Sequence, residues 1–365
     1  MKFKYLFALA ASFALTVSSC HSDEPAPPVP EISQPENGID WGDVELQNVS
    51  FNAQIEGGEP RSRAANSTGF YESGEHVNTL RYCLYRASDY KVLMTDKEKA
   101  PVKTSSGWTV DFALPVGESF ACFFWSDYNS AYEIDYVNCT VKADYSKTLD
   151  MLDYADAFCL LRTFSIANNS PNRTFSVQLK RPFAQICVLS RELDSDLVKG
   201  SYPDYPYACV GFTKTGDNGT LYLPTTWNFT KYTTTMESIN VSTKPNTWVT
   251  NPNKSRLIGT SSEKAPTVTY QGKEYKYLYM GYVFANKDTT NPVNEWAMDF
   301  YTDAGNTRCT YYRSSGNTPN LRANTRVLFV SDADGTTAEG SLLIGNASFT
   351  VTKTTTFDSE SKQEW

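Results

Sequence analysis

Residues 107–125 read GWTVDFALPVGESFACFFW, and this stretch decides the fold. In its first half, large apolar residues alternate with smaller or polar ones: Trp108, Val110, Phe112 and Leu114. Such alternation is typical of a β-strand with one face in a core. In its second half, the apolar run from Phe120 to Trp125 is continuous. It predicts a strand that is covered on both faces.

Similar short segments recur along the chain and are separated by turn signals such as Ser106-Gly107 and Gln271-Gly272. The strands predicted from them are Leu80 to Leu84, Phe175 to Leu179, Ile186 to Leu189, Tyr207 to Phe212, Leu221 to Leu223, Tyr275 to Phe284, Trp296 to Phe300, Arg326 to Val330 and Phe349 to Thr354. Helical periodicity is clear only from Tyr145 to Ala157. Many strands and one short helical insertion predict an all-β protein of sandwich architecture.

The chain is long enough for two domains. The 365 − 20 = 345 residues that follow Cys20 exceed the usual length of one domain. Charged and turn residues between Leu193 and Tyr202 suggest a boundary, which gives β-sandwich domains at 40–195 and 196–365. Thr233 to Thr267 is polar, and we expect long loops there with a weak strand or two.

The first predicted strand changes parity. Val44 and Leu46 share one face, whereas Val49, Phe51, Ala53 and Ile55 share the other. A β-bulge near Gln47-Asn48 would restore the phase. Since bulges are frequent at sheet edges, the pattern predicts that residues 44–55 form an edge strand.

The N-terminus has the features of an export signal. Lys2 and Lys4 precede an apolar stretch that ends near Val17, and this stretch is too short to span a bilayer. The following Val17-Ser18-Ser19-Cys20 resembles the bacterial lipobox. That resemblance implies a signal peptide at 1–19, cleavage before Cys20 and lipidation of Cys20. The alternative is an ordinary secreted protein with a chance cysteine.

Residues 20–39 are acidic and then rich in proline, which predicts an extended tether. At 3.1 Å per residue it would reach about 60 Å. Acidic residues directly behind the lipid cysteine are also similar to the surface-export signal of Bacteroidetes lipoproteins. We therefore expect an outer-membrane protein that faces the cell exterior.

Composition argues against several classes of function. Loss of Lys2 and Lys4 leaves 33 − 2 = 31 basic against 41 acidic residues, a net charge of −10, and nucleic-acid binding is not expected. The seven cysteines other than Cys20 contain no Cys-x-x-Cys pair. Mostly buried thiols are favoured over a disulfide framework, because most of them lie beside aromatic or β-branched residues.

No catalytic residues, cofactor or metal are predicted. His76 is the sole histidine outside the tether, so a serine or cysteine nucleophile lacks an evident base. Asp332, Asp334 and Glu339 lack the full spacing of a calcium loop. Asp150, Asp153 and Asp156 are interpreted as a solvated helix face. The chain is not expected to be an enzyme, although a hydrolase with a carboxylate pair remains an open alternative.

Two segments carry a family resemblance. The first consists of Asp156-Ala157-Phe158, a strand, and then Lys180-Arg181-Pro182-Phe183-Ala184-Gln185-Ile186. It resembles a segment of Bacteroidetes fimbrillin-like lipoproteins of the type V pilin class. Leu321 to Arg326, followed by Gly340 to Ile344, is similar to their penultimate region. The resemblance implies two transthyretin-like β-sandwich domains, a cell-surface or fimbrial location, and other fimbrial subunits as partners.

The resemblance also implies assembly by donor-strand exchange. An arginine-specific protease would cut after Arg61 or Arg63, the first strand would leave, and a C-terminal strand with Phe349, Val351 and Phe357 would refill the groove of the next subunit. The alternatives are a solvated arginine pair and a last strand that belongs to its own domain. Exchange of this kind is not expected if the first strand is paired on both sides.

The expected function is a fimbrial subunit or an adhesin of host or glycan ligands. The competing interpretation is a surface glycan-binding lipoprotein that stacks exposed aromatics on sugars. Most tryptophans fall on alternating strand positions and predict core, so Trp227 and Trp248, in polar surroundings, are the better candidates for exposure.

Overall fold

The computed structural model describes residues 39, 41–55, 77–128, 130, 132–143, 156–167, 173–191, 207–213, 221–239, 267–286, 295–301, 308–313, 321–331 and 350–354. Residues 37–365 form one compact unit. In the described ranges every regular element is a β-strand, which confirms the all-β prediction. The predicted helix at 145–157 falls almost entirely outside them.

Twenty strands follow one another along the chain. They are β1 Leu46–Ile55, β2 Thr79–Arg86, β3 Val92–Thr95, β4 Val102–Thr104, β5 Gly107–Pro115, β6 Ser119–Asp127, β7 Tyr132–Asp135, β8 Thr140–Ala143, β9 Phe158–Ser165, β10 Arg173–Leu179, β11 Phe183–Ser190, β12 Tyr207–Thr213, β13 Leu221–Asn228, β14 Thr233–Ile239, β15 Thr267–Tyr270, β16 Lys273–Phe284, β17 Glu295–Tyr301, β18 Arg308–Arg313, β19 Thr325–Ser331 and β20 Thr350–Thr354.

Eight of the first ten strands, all except β7 and β8, form a β-sandwich. Sheet I has the order β10-β1-β5-β4, and sheet II has the order β3-β2-β6-β9. Their facing sides share one hydrophobic core, in which β1 and β5 contribute Phe51 and Phe112, and β2 and β6 contribute Tyr82 and Phe124. The alternation in β5 arises because one face of the strand meets this core, while the residues on its other face are half-buried or exposed.

Strand β1 lies inside sheet I, and the prediction of an edge strand is therefore wrong. It pairs in parallel with β10 over seven residue pairs and antiparallel with β5 over eight. The predicted bulge is also absent from this described strand, since its register with β5 is unbroken. Instead, Gln47 occupies the inward position that keeps the alternation in phase, and Val44 remains 48% exposed.

The continuous apolar run in β6 is buried on both faces, as predicted. One face meets sheet I. The other packs on a second aromatic cluster, where Phe123 stacks on Phe229 at 3.8 Å and Trp125 lies 6.3 Å from Phe183 and 6.4 Å from Trp227. This cluster joins sheet II to the later strands.

The later strands form two further sheets. Sheet III has the order β15-β16-β11-β19-β20, and sheet IV has the order β18-β17-β12-β13-β8-β7, with β14 also on β13. Strand β11 precedes the predicted boundary at 195, yet its partners β16 and β19 follow it, and β8 likewise pairs with β13. The two-domain boundary stays a prediction, and strand pairing crosses it. The polar region 233–267 contains β14 and begins β15.

Candidate functional site

The sequence-predicted site residues fall mostly outside the described ranges. Cys20, Arg61, Arg63, Phe349 and Phe357 all do so. Val351 lies in β20, where it is opposite Phe329 of β19 in the same chain. Strand β20 thus has the position expected for the last strand of its own sheet. The lipidation, processing and donor-strand hypotheses on these residues stay predictions.

The first strand is the best-defined part of the predicted site, and its inward face is deeply buried. Val49, Phe51 and Ala53 are at most 1% exposed. The Phe51 ring stacks on Phe175 at 5.0 Å and contacts Phe164 and Phe124 at 5.1 and 5.3 Å. Because Phe51 has aromatic neighbours from both sheets, withdrawal of β1 would open the centre of the core.

The outward face of β1 is polar and tied to β5. The Ser50 hydroxyl donates to the Asp111 carboxylate, and the Thr109 hydroxyl donates to Asn52 Oδ1 at 3.2 Å. Gly107 begins β5 so close to β1 that an added Cβ would lie 2.1 Å from the Ala53 carbonyl oxygen. Backbone, side chains and packing therefore all fix β1 in place.

The two halves of the first family-like segment meet in space. Arg181 Nε donates to both Asp156 carboxylate oxygens at 2.8 and 2.9 Å, and Nη2 donates to Oδ2 at 2.7 Å. The guanidinium also lies 4.4 Å from the centre of the Phe158 ring. Next to it, the backbones of Cys159 and Lys180 exchange hydrogen bonds of 2.8 and 3.0 Å. This Asp156–Arg181 junction connects the start of β9 to the link between β10 and β11.

The junction is a buried ion pair, since both side chains are 2% exposed. Burial raises the pKa of the Asp156 carboxyl, and Arg181 acts in the opposite direction. Burial alone would lower the pKa of Arg181, but the Asp156 carboxylate raises it. The interpretation of Asp156 as a solvated residue is therefore wrong, because its side chain is 2% exposed and its partner is 25 residues further along the chain.

A second buried polar node was missed in the sequence. The Asp127 side chain, at the end of β6, is fully buried. It accepts hydrogen bonds from Arg81 Nη2 at 2.5 Å, Thr79 Oγ1 at 2.6 Å and Trp125 Nε1 at 3.1 Å. A charged residue two positions after the apolar run of β6 is the one signal that pointed to it. Its donors hold it as a structural carboxylate.

Five of the cysteines that the structure describes are buried thiols outside disulfides: Cys83, Cys122, Cys139, Cys159 and Cys187. This confirms the preference for buried thiols at those five positions. Burial raises the pKa of Cys83 to about 12 and raises the pKa values of Cys122 and Cys159 well above the usual range. Such thiols carry almost no thiolate at neutral pH and are poor nucleophiles.

The described tryptophans of β5, β6 and β13 do not form an exposed platform. Trp108 and Trp125 are buried, as predicted for core. The expectation that Trp227 is exposed is wrong: it is 2% exposed and stacks on Phe284 at 6.2 Å. Its polar neighbours in sequence project from the other face of β13. Trp248 lies outside the described ranges.

Within the described ranges, no group of three or more His, Cys, Asp or Glu side chains could hold a metal ion. The same residues contain no helix that is both long and apolar enough to cross a bilayer. Among their buried charged residues, Asp127, Asp156 and Arg181 bind protein groups through their side chains.

Comparison with known proteins gives a family but little functional detail. No curated protein matches the chain. Solved structures with a similar fold include a fimbrial assembly protein from Parabacteroides distasonis, with 9% identity, 80% and 93% coverage of the two chains and a TM-score of 0.37. A protein provisionally described as a cell adhesion protein from Bacteroides eggerthii has 11% identity, 85% and 95% coverage and a TM-score of 0.38.

A third similar structure, from Bacteroides thetaiotaomicron, is provisionally described as polysaccharide binding, with 8% identity, 79% and 93% coverage and a TM-score of 0.38. Values this low do not transfer a function. The match to a family model is broader, since it covers residues 42–365. The chain therefore belongs to the family of unknown function DUF6562.

Proposed function

We propose that this chain is a lipid-anchored protein of the bacterial cell surface that serves as a fimbrial subunit or adhesin. The observation that carries the proposal is the connection between its N-terminus and its fold. A lipobox-like Cys20 and a proline-rich stretch lead directly into β1, the strand at the centre of the first sandwich. An anchor at Cys20 would thus be connected to the protein through a strand of its core.

The buried polar groups support a scaffold. Asp156 with Arg181 and Asp127 with Arg81 are ion pairs that link separate strands. The five described thiols are buried hydrophobes. These groups stabilise the fold and leave recognition to surface side chains and loops. For the glycan-binding alternative, Trp227 is not a candidate for sugar stacking, because it lies in the core. The other candidate, Trp248, lies outside the described ranges.

Exchange of β1 between subunits is not part of the proposal. It depended on an edge strand, and β1 has ladders on both sides. Cleavage after Arg61 or Arg63 remains a proposal in its own right. These arginines follow β1 in the chain, so a cut there would leave β1 held by the two ladders and by the burial of Phe51.

Surface display is tested by comparing wild type with a Cys20→Ala variant in the native bacterium. We expect metabolic labelling with a palmitate analogue, antibody access on intact cells and protease sensitivity for wild type, and loss of all three for the variant. Immunogold microscopy then separates the two roles: a fimbrial subunit labels along filaments, an adhesin in dispersed points. Wild-type protein without lipid label, or reachable only after lysis, would contradict the proposal.

A further inference from the structure

Two pairs of described strands run parallel, and both join an early strand to a late one. Strand β1 pairs with β10 from Val49↔Arg173 to Ile55↔Leu179. Strand β11 pairs with β19 from Ala184↔Thr325 to Ser190↔Ser331. Every other pair of named strands in the described ranges is antiparallel.

The connection between these pairs is direct. The chain leaves β10 at Leu179 and enters β11 at Phe183 after the three residues Lys180, Arg181 and Pro182. Tension between the two ends of the chain therefore enters β1 at its N-terminal end and leaves β10 at its C-terminal end. It then enters β11 at its N-terminal end and can leave β19 at its C-terminal end.

Opposite ends of two parallel strands are far apart, so pulling on them slides one strand along the other. The evenly spaced hydrogen bonds of a parallel ladder are then loaded together. Pulling on adjacent ends would instead open the ladder one bond at a time. We infer that β1–β10 and β11–β19 are two mechanical clamps in series, which resist tension between the membrane side and the distal side. This inference rests on the proposed surface anchoring for its biological use.

Side chains across the first clamp oppose sliding. Phe51 and Phe175 are directly opposite in register and stack with an interplanar angle of 23°. Arg162 of the neighbouring β9 covers Phe175, with 4.8 Å from its guanidinium carbon to the ring centre. A shift of β1 by one residue would turn Phe51 and the other inward side chains of β1 out of the core. Rupture therefore requires the hydrogen-bond ladder and the aromatic packing to fail together.

The Asp156–Arg181 junction strengthens the link between the clamps. Arg181 lies in the three-residue connection, and its bidentate pair with Asp156 ties that connection to the start of β9. In the second clamp, Gln185 and Arg326 are opposite in register, and Arg326 Nε donates to Gln185 Oε1 at 2.6 Å. Tension must break these contacts before the connection can straighten.

Single-molecule pulling of the chain from residue 21 onward, purified without its lipid, tests the inference. In one geometry the handles are at the two termini. In the other, the second handle is a peptide inserted after Glu118, in the exposed turn between β5 and β6. Leu46 is opposite Pro115, so this geometry opens β1 from its N-terminal end. We expect β20 to detach early in the terminal geometry, followed by a rupture at severalfold higher force than in the Glu118 geometry. Equal rupture forces in the two geometries would overturn the inference.

A pair of variants separates mechanical from general stability. Phe175→Ala weakens the clamp, whereas Leu93→Ala removes a half-buried side chain that packs on the same core from β3. For each variant, the loss of rupture force between the termini is divided by the measured loss of unfolding free energy. This ratio should be much larger for Phe175→Ala than for Leu93→Ala. The same ratio of force to stability in both variants would overturn the inference. Because pulling uses purified protein, a negative result here leaves surface display untouched, and absence from the surface leaves the clamps measurable.

Discussion

Loss of one partner from the Asp156–Arg181 junction should destabilise the protein strongly. Asp156→Asn removes the negative charge but keeps the size and an acceptor oxygen. It leaves the Arg181 guanidinium 2% exposed and without a counter-charge. Breaking one side of a buried ion pair costs about 3–5 kcal/mol. Asp156→Leu combined with Arg181→Met should be much milder, since apolar replacement of a whole buried pair is often close to neutral.

Urea denaturation at neutral pH measures both effects, with intrinsic fluorescence and circular dichroism as coincident probes. Asp89→Asn is the control, because the Arg86–Asp89 pair is about half exposed on both sides, at 49% and 50%. An exposed pair of this kind contributes at most about 1 kcal/mol. A loss for Asp156→Asn as small as that of Asp89→Asn would refute the reasoning. So would a double variant that is no more stable than the single one.

Three further predictions concern packing, pH and thiol chemistry. Gly107→Ala should lower the unfolding free energy by about 1–3 kcal/mol through its clash with the Ala53 carbonyl, and an unchanged melting temperature would count against that contact. A hydrogen bond from the Thr95 hydroxyl lowers the pKa of Glu98 below its usual 4.5, so this stabilisation is present above pH 4.5 and is lost as pH falls through the lower folded value. Thr95→Val should move the NMR titration of the Glu98 carboxyl to higher pH, and an unmoved titration would exclude this cause. Iodoacetamide at pH 8 should leave Cys83, Cys122, Cys139, Cys159 and Cys187 unmodified until urea is added, and mass spectrometry of peptides would reveal labelling of the folded protein as the contrary result.

The strands could be predicted because their signal is local. In β5 the alternation from Trp108 to Leu114 indicates that one face of the strand lies in the core. In β6 the unbroken apolar run indicates that both faces are covered. Both signals depend on the period of two in a strand and on burial, and not on which partner supplies the burial. For that reason the sequence indicated the class of fold without the order of strands in its sheets.

The errors arose where partners are remote. Residues 44–55 carry a parity change that a bulge could explain, but β5 and β10 pair with β1 on both sides and Gln47 simply takes an inward position. Asp156 looked solvated because Arg181 is distant in sequence, and Trp227 looked exposed because its aromatic neighbours Trp125 and Phe284 are distant as well. Neither local propensity nor local polarity contains that information.

The central position of β1 also determines when the first sandwich can close. Val49 pairs with Arg173, which is 173 − 49 = 124 residues further along the chain. Closure of so long a loop costs entropy before any contact across it is made, and non-local pairing of this kind slows folding. The ladder between β1 and β10 must therefore wait until β10 is available, whereas β1 can pair with β5 earlier. The same parallel ladder that makes β1 difficult to detach is thus one of the last parts of the first sandwich to form.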